Sequence, residues 1–170
     1  VDSPVSGLSY SSENFPDGAT NANGEFQYFR GDQITFSIGD FVFPAVPASS
    51  ILTPLDLFKA DTPFKQSVAN TLRLLQALDV DGDPSNGIEI SSAAAGVASQ
   101  VLAEGQTIED YFGRPADEFA ADVESWLANA GGSPTLAPFD AAIEHFVNYL
   151  ESEYGTLFSN TFNVSQFNGT

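Results

Sequence analysis

Residues 79–90 read DVDGDPSNGIEI and set three carboxylates, those of Asp79, Asp81 and Asp83, at alternate positions among turn-forming residues. Two like unit charges about 4 Å apart repel by roughly 4 kcal/mol at an effective dielectric constant near 20. Three converging aspartates therefore favour an open loop unless a hard divalent cation with oxygen ligands compensates their charge. The spacing predicts a calcium site, and the alternative is a solvated acidic turn without an ion.

The loop departs from an ordinary EF-hand after its first three acidic positions. An EF-hand places glycine at position 6 and a bidentate glutamate at position 12. Here residues 84–86 intervene before Gly87, and no glutamate stands at the expected distance after that glycine. Glu89 is the nearest acid and is predicted to close the shell, with backbone carbonyl groups near Ser85 or Ile88. The predicted calcium ligands are Asp79, Asp81, Asp83, Ser85, Ile88 and Glu89.

Helical patterns flank the acidic loop on both sides. Apolar residues at helical spacing predict a helix over about 63–78 that runs directly into Asp79. After the loop, Ser91 or Ser92 can cap an alanine-rich helix that extends to about residue 102. Bound calcium would then fix the angle between these two helices.

Further helices are predicted on either side of this unit. Thr53 and Thr107 are each followed three residues later by aspartate, which is the pattern of a capping box at a helix N-terminus. Two later segments have apolar residues at helical spacing, which predicts one helix for each. These residues are Phe119, Val123, Trp126 and Leu127 in the first segment and Phe139, Ile143, Phe146, Val147, Leu150 and Tyr154 in the second.

The first 45 residues have the pattern of short β-strands. Apolar residues alternate with polar ones over 8–10, 25–28 and 33–38, residues 41–43 are a short apolar run, and turn-forming residues separate these segments. A sheet this small needs a second layer to bury its apolar face. The sequence therefore predicts an α+β fold, in which a small N-terminal antiparallel sheet packs on a bundle of four to five helices and an EF-hand-like acidic loop joins two of them.

The length of 170 residues suits one domain. Within it we expect a β-rich part over 1–50, a helical part over 51–158 that carries the calcium loop 79–90, and a polar tail over 159–170. The chain starts at Val1 and contains no methionine, which favours a processed or trimmed product.

The charge and composition narrow the function classes. Lys and Arg number 5 against 23 Asp and Glu, so the formal charge of −18 opposes binding to nucleic acid and to anionic lipid surfaces. Cysteine is absent, which excludes disulfides and thiolate metal sites. No apolar run is long enough for an integral membrane segment. The acidic excess and a calcium loop of weak affinity suit a saline, calcium-rich medium. We therefore expect a secreted or cell-surface location, with the periplasm as an alternative. We also expect a marine or halophilic bacterial source.

Catalytic patterns are weak. His145 is the only histidine and is predicted to lie on the polar side of the last helix as a surface residue. A zinc site without cysteine usually needs two or more histidines, and no Gly-x-Ser-x-Gly nucleophile elbow is present. Glu118 and Asp122 could serve a glycosidase as paired carboxyls, although with so many acids such pairs arise by chance. No catalytic residue is assigned.

The N-terminal third is rich in aromatic residues, which leaves a ligand groove as an alternative to core packing. The aromatic set is Tyr10, Phe15, Phe26, Tyr28, Phe29, Phe36, Phe41 and Phe43.

Asn163 and Asn168 begin sequences that match the N-glycosylation pattern, and we treat these matches as chance.

Several spaced motifs occur in a characteristic order over about residues 1–90. They are VDSPVSGLSY at 1–10, the segments 18–28 and 31–39, TPLDL at 53–57, and the stretch 74–90. This set resembles a family of secreted lipoproteins and adhesin-like surface proteins of gammaproteobacteria. The resemblance implies export and a surface role and supplies no catalytic residues, and the lipid-anchoring cysteine of such proteins is absent here.

The function expected from the sequence is a non-enzymatic, calcium-stabilised binding domain of the cell surface, used in adhesion or in ligand capture. Its partner would be a glycan, a protein or a hydrophobic compound. One alternative is a carrier that holds a small hydrophobic ligand in a pocket lined by the aromatic residues. Another is a carboxylate-based hydrolase.

Overall fold

The computed structural model describes residues 3–98, 102–130 and 135–155, which form seven strands and six α-helices. The strands are β1 (Val5–Ser6), β2 (Ser9–Ser12), β3 (Gly18–Ala19), β4 (Gln33–Ile38), β5 (Phe41–Val42), β6 (Val46–Pro47) and β7 (Ile88–Glu89). The helices are α1 (Pro54–Leu57), α2 (Gln66–Ala77), α3 (Ser92–Ala98), α4 (Ile108–Phe112), α5 (Ala116–Leu127) and α6 (Phe139–Tyr154). The predicted α+β class is confirmed, with six helices where four to five were expected.

Strands β2 to β6 form one antiparallel sheet. Its order is β3-β2-β4-β5, and β6 also pairs with β4. In β4 the side chains of Ile34, Phe36 and Ile38 are buried and alternate with more exposed ones, because successive side chains of a strand point to opposite faces. Tyr10 of β2 lies opposite Phe36, so the two central strands share one apolar face.

Residues 25–28 were predicted to form a strand, and this prediction is wrong. The backbone N–H of Glu25 donates to Oδ1 of Asn21 at 3.0 Å, and that of Gln27 donates to the Tyr10 hydroxyl at 3.2 Å. The ring of Phe26 also packs edge-on against Phe36, with 5.2 Å between centroids. Side-chain acceptors and ring packing thus take the place of a strand ladder.

Strand β1 lies outside this sheet and pairs in parallel with β7. Val5 is opposite Ile88, and Ser6 is opposite Glu89. A parallel pair needs a long crossover connection, and here nearly the whole first half of the chain lies between the partners. The N-terminal segment is thereby joined to the end of the acidic loop.

Both predicted capping boxes are confirmed. At the start of α1, Leu55 N donates to the Thr53 hydroxyl at 3.2 Å, and Thr53 N donates to the Asp56 carboxylate at 2.7 Å. At the start of α4, Thr107 and Asp110 make the same reciprocal pair. Each box satisfies backbone donors that a helix N-terminus would otherwise leave without a partner.

Helix α2 is the centre of the helical part. It packs against α1, α4, α5 and α6, and the side chains of Val68, Ala69 and Leu72 have no exposed surface. It begins at Gln66 rather than at residue 63, because residues 61–65 form a turn first, and it ends at Ala77. The acidic loop therefore starts directly after the most deeply buried helix.

The other predicted helices are present with shifted ends. Ser91 caps α3, since its hydroxyl accepts the backbone N–H of Ala94 at 3.2 Å. The predicted extension of that helix passes through 99–101, outside the described residues, and Leu102 lies in a bend. The tail 159–170, with Asn163 and Asn168, also lies outside the described residues.

One apolar cluster joins the sheet to the helices. The Phe41 ring of β5 lies 5.1 Å from that of Tyr111 and 5.4 Å from that of Phe112, measured between centroids, and both partners belong to α4. Aromatic pairs at this separation add to the stability that burial gives.

In the ranges that the structure describes, no helix has the length and apolar character needed to cross a membrane.

Asp32 is a buried carboxylate that fixes the turn before β4. Its Oδ2 accepts the Ser12 hydroxyl at 2.5 Å and the Phe29 N–H at 3.1 Å, and its Oδ1 accepts the Asn14 amide at 2.6 Å. The hydrogen bonds from Ser12 and Asn14 hold the pKa of Asp32 below its ordinary value of 3.8. Its stabilising contribution is therefore present above pH about 4 and is lost as the pH falls through the lower, folded-state pKa.

We expect Asp32→Asn to lower the midpoint of thermal unfolding at pH 7 by a few degrees. The NH₂ group of the asparagine would face one of the three groups that now donate hydrogen bonds to the carboxylate, so that hydrogen bond would be lost. The difference from the wild type should shrink as the pH falls below about 4. Thermal melts followed by circular dichroism between pH 3 and pH 7 measure both effects. Asp17→Asn is the control, because Asp17 is exposed and the substitution removes the same charge. A difference that persists unchanged at pH 3 would contradict the role given to the ionised carboxylate.

Candidate metal centre

The acidic loop is closed at its base by backbone contacts. Asp79 follows Leu78, which is the C-cap residue of α2, and forms an isolated antiparallel bridge with Ile90. The Val80 N–H donates to the Glu89 carbonyl at 3.0 Å. The two ends of the loop are therefore held side by side, although β7 and not a helix follows directly, so the arrangement is not that of an EF-hand.

Asp79 is the buried acid of the loop. Its side chain is 3% exposed, and Oδ1 accepts the Glu89 N–H at 2.9 Å. Its Oδ2 is buried without a hydrogen-bond partner, while the Asp81 carboxylate lies within hydrogen-bonding reach of the Asp79 carboxyl. Burial raises the pKa of Asp79 and Asp81 raises it further, while the backbone amides of Glu89 and Asp83 lower it. Two acceptor groups that face each other in this way need a cation or a proton between them.

Asp81 is oriented by donors from the same loop. Its Oδ2 accepts the Asn86 amide at 2.9 Å, and its Oδ1 accepts the Asp83 N–H at 2.9 Å. These two bonds lower the pKa of Asp81, with Asn86 the larger cause. Asn86 is not among the ligands predicted from the sequence, although its place two residues after a proline in a turn is a position from which an amide can reach back.

The other predicted ligands do not converge on Asp79 and Asp81. The Asp83 carboxylate accepts the N–H of Ser85 at 3.1 Å and its hydroxyl at 2.5 Å, which caps the 3₁₀ turn Pro84–Asn86. The Glu89 side chain is exposed, because it alternates in β7 with the buried Ile88. Within residues 3–98, 102–130 and 135–155, no three His, Asp or Glu side chains are grouped as metal ligands.

The residues present nevertheless fit a hard cation in their chemistry. Asp79 and Asp81 supply converging carboxylate oxygens, and Asp83 follows at the next alternate position on an exposed loop where its side chain can turn. Gly82 has a φ of +72°, so the backbone bends sharply between the second and third aspartates. Oxygen donors of this kind suit calcium better than softer metals.

Two residues that are distant from the loop in the sequence lie against it. The Ser3 hydroxyl donates to the Pro84 carbonyl at 2.7 Å and lies 3.1 Å from Nε2 of His145. Burial lowers the pKa of His145, while the Pro84 carbonyl and Asp83 raise it. The expectation that His145 is a surface residue is therefore wrong, since its ring is half-buried between the N-terminal segment and the loop. No local pattern could have indicated a contact between residues 142 positions apart.

The Ser3 and His145 pair is not arranged for nucleophilic catalysis. A nucleophilic serine gives its proton to the histidine base, whereas the Ser3 hydroxyl donates to a backbone carbonyl. Ser3 is also only 1% exposed, so a substrate could not reach it. Of the carboxylate pair considered above, Asp122 accepts the Tyr111 hydroxyl at 2.6 Å and lies 3.6 Å from Arg114, while Glu118 is exposed.

Most of the aromatic set packs into the core. Tyr10, Phe36, Phe41 and Phe43 are buried, and the apolar cavity beside Phe36 and Phe43 has a volume of about 10 Å³, enough for one water molecule at most. Phe26 and Tyr28 are partly buried against this core, whereas Phe15 and Phe29 lie outside it and pack on each other, and Phe29 has 56% of its surface exposed.

An open groove of about 270 Å³ lies between residues 23–28, residues 50–52 and the last turns of α6. Phe26 and Tyr28 stack in its wall, with 5.6 Å between ring centroids. The groove combines aromatic faces with the polar side chains of Asn23, Glu25 and Ser50. Its aromatic residues are Phe26, Tyr28, Tyr149 and Tyr154.

The chain was compared with protein-family models, with curated proteins and with solved structures. None of the three comparisons found a match.

Proposed function

We propose that this protein is a calcium-stabilised binding domain, exported or held at the cell surface, that captures a ligand or mediates adhesion without catalysis. Calcium would be held by the side chains of Asp79, Asp81, Asp83 and Glu89, with oxygen atoms of Ser85 and Ile88 completing the shell. The exported location rests on the resemblance of the first 90 residues to secreted surface proteins.

The observation that carries the calcium proposal is the unpartnered Oδ2 of Asp79. It is buried without a partner, and the Asp81 carboxylate lies within hydrogen-bonding reach of the same carboxyl group. A buried acceptor without a partner costs about 1–3 kcal/mol, more when charged, and a bound cation removes that cost. Asp83 and Glu89 would join the shell by side-chain rotation, which their exposed positions permit.

The binding role is supported by the groove beside α6. Ligand sites are concave and combine apolar or aromatic walls with a few polar groups, as this groove does. A carrier with a closed aromatic pocket has less support, because the rings that would line it are packed against one another in the core. The groove faces solvent, so the proposed ligand binds at the surface.

Calcium is expected to stabilise the wild type strongly. A free concentration about 100 times the dissociation constant adds about 2.7 kcal/mol, which raises the unfolding midpoint of a chain of this length by about 5–10 °C. Differential scanning calorimetry in EDTA and in calcium measures the shift, and magnesium at equal concentration tests selectivity.

Asp79→Asn should abolish this calcium-induced shift of the unfolding midpoint. In EDTA the variant should be folded and at least as stable as the wild type, because a neutral amide can donate a hydrogen bond to Asp81. Glu118→Gln is the matched control, since it removes one negative charge from an exposed site on α5 and should keep the full shift. The competing explanation is a proton shared by Asp79 and Asp81. Identical wild-type melting curves in EDTA and in calcium would favour the shared proton and reject the calcium proposal.

A further inference from the structure

The N-terminal segment crosses the second half of the acidic loop. We call residues 3–7 the N-terminal strap. The hydrogen bonds that join it to the loop include those from Ser3 Oγ to the Pro84 carbonyl at 2.7 Å, from Ile88 N to the Pro4 carbonyl at 2.9 Å, and from Ile90 N to the Ser6 carbonyl at 3.0 Å. The strap therefore contacts the loop at its 3₁₀ turn and along its whole exit strand.

The backbone that the strap holds is the same backbone that orients the two converging carboxylates. The Glu89 N–H, which donates to Asp79, lies between the two loop amides that donate to the strap. Asn86, whose amide donates to Asp81, belongs to the turn whose Pro84 carbonyl accepts the Ser3 hydroxyl. If the strap moves, both donors move with it.

The strap is itself fixed from two further sides. His145 of α6 lies 3.1 Å from the Ser3 hydroxyl. The hydroxyl of Thr20, at the end of β3, donates to the Val5 carbonyl at 2.6 Å, and the Gly7 N–H donates to the Thr20 carbonyl at 3.0 Å. Ser3 has a φ of +64°, which a non-glycine residue adopts only where its surroundings hold it. The strap is a rigid support for the loop.

We infer that Ser3 and the strap are positioning elements of the cation site, so that strap docking and calcium binding strengthen each other. This inference rests on the calcium site proposed above. Coupling of this kind is reciprocal: if docking of the strap raises calcium affinity by some factor, calcium stabilises the docked strap by the same factor. A coupling of typical strength changes affinity by about tenfold.

The test measures the coupling from both ends. Isothermal titration calorimetry is expected to give a calcium dissociation constant about tenfold higher for Ser3→Ala than for the wild type, because the Pro84 carbonyl loses its donor. Ser9→Ala is the matched control, since Ser9 is an exposed serine of β2, outside the strap, and the affinity of this variant should equal that of the wild type. Circular dichroism confirms that each variant is folded.

The reciprocal measurement needs no variant. In wild-type protein, hydrogen exchange followed by NMR should slow by about tenfold on calcium addition at the amides of Ile88 and Ile90, which donate to the strap. The Ala142 amide in α6, which donates to the Pro138 carbonyl, is the reference for any general change in stability.

The outcomes separate the two proposals. Wild-type protein that binds calcium, with no change of affinity in Ser3→Ala or no selective slowing at Ile88 and Ile90, overturns the coupling and leaves the calcium site standing. Wild-type protein that does not bind calcium in the calorimeter overturns the calcium site, and the coupling with it.

Discussion

Arg73→Met is expected to lower the free energy of unfolding by about 4 kcal/mol, because it removes at once three hydrogen bonds donated by a charged, nearly buried side chain. Arg73 lies on α2 and is 6% exposed. Its Nε donates to the Ala137 carbonyl at 2.8 Å, and one terminal nitrogen donates to the Ala116 carbonyl at 3.0 Å and to Asn70 Oδ1 at 3.1 Å. These contacts tie α2 to the segments that begin α5 and α6. Methionine fills a similar volume and cannot donate.

Urea denaturation in calcium-containing buffer measures the change. The free energy of unfolding of Arg73→Lys should lie between those of the wild type and Arg73→Met. An ammonium group keeps the positive charge but lacks the planar guanidinium group that donates to separate carbonyl groups. Arg30→Met is the control: Arg30 is exposed, so the same change of charge there should alter stability by less than about 0.5 kcal/mol. Equal denaturation midpoints for Arg73→Met and Arg30→Met would show that the buried hydrogen bonds contribute no net stability.

Gly7→Ala is expected to cost on the order of 3 kcal/mol, because two penalties act together. Gly7 has a φ of +76°, a conformation that residues with a side chain rarely adopt. An added Cβ would also lie inside contact distance of the Ile90 carbonyl oxygen, which belongs to the backbone and cannot turn away. Relief requires that the strap and the end of the acidic loop separate, so the calcium response of the melting curve should weaken as well.

Gly105→Ala separates the two penalties. Gly105 has a φ of +79°, and nothing lies within 4 Å of the position that its Cβ would take. This variant should cost about 1–2 kcal/mol, the conformational penalty alone, and keep the full calcium response. Chemical denaturation of both variants, with and without calcium, gives the comparison. A Gly7→Ala variant no less stable than Gly105→Ala would show that the strap is not packed tightly against Ile90.

The helical part was predictable because its signals are local. The Thr53 and Thr107 capping boxes and the apolar spacing of α2, α5 and α6 each lie within a few turns of sequence, and all five helices are present. Residues 25–28 show the limit of such patterns. Their alternation is typical of a strand, yet Asn21 and the Tyr10 hydroxyl accept the backbone N–H groups of Glu25 and Gln27 in place of a partner strand.

The acidic loop was predictable in position and only partly in geometry. Asp79 and Asp81 converge as the alternate spacing suggested, whereas Asp83 caps its own turn, because a serine two residues later offers two donors. Ser3 and His145 could not be placed at the loop, since their contacts depend on how the N-terminus and α6 fold back over it. Arg73 was missed for the same reason: a cation on an apolar helix has no local partner that would reveal its role.

The pairing of β1 with β7 also bears on the order in which the chain folds. Ser3 and Pro84 are 81 residues apart. Joining such distant segments costs chain entropy before the contacts between them can contribute stability. Each single helix and the antiparallel pair of β2 with β4 use nearer contacts and can form earlier. We therefore expect β1 to dock late, and an intermediate with residues 3–7 still undocked would be the species most exposed to proteolysis in that segment.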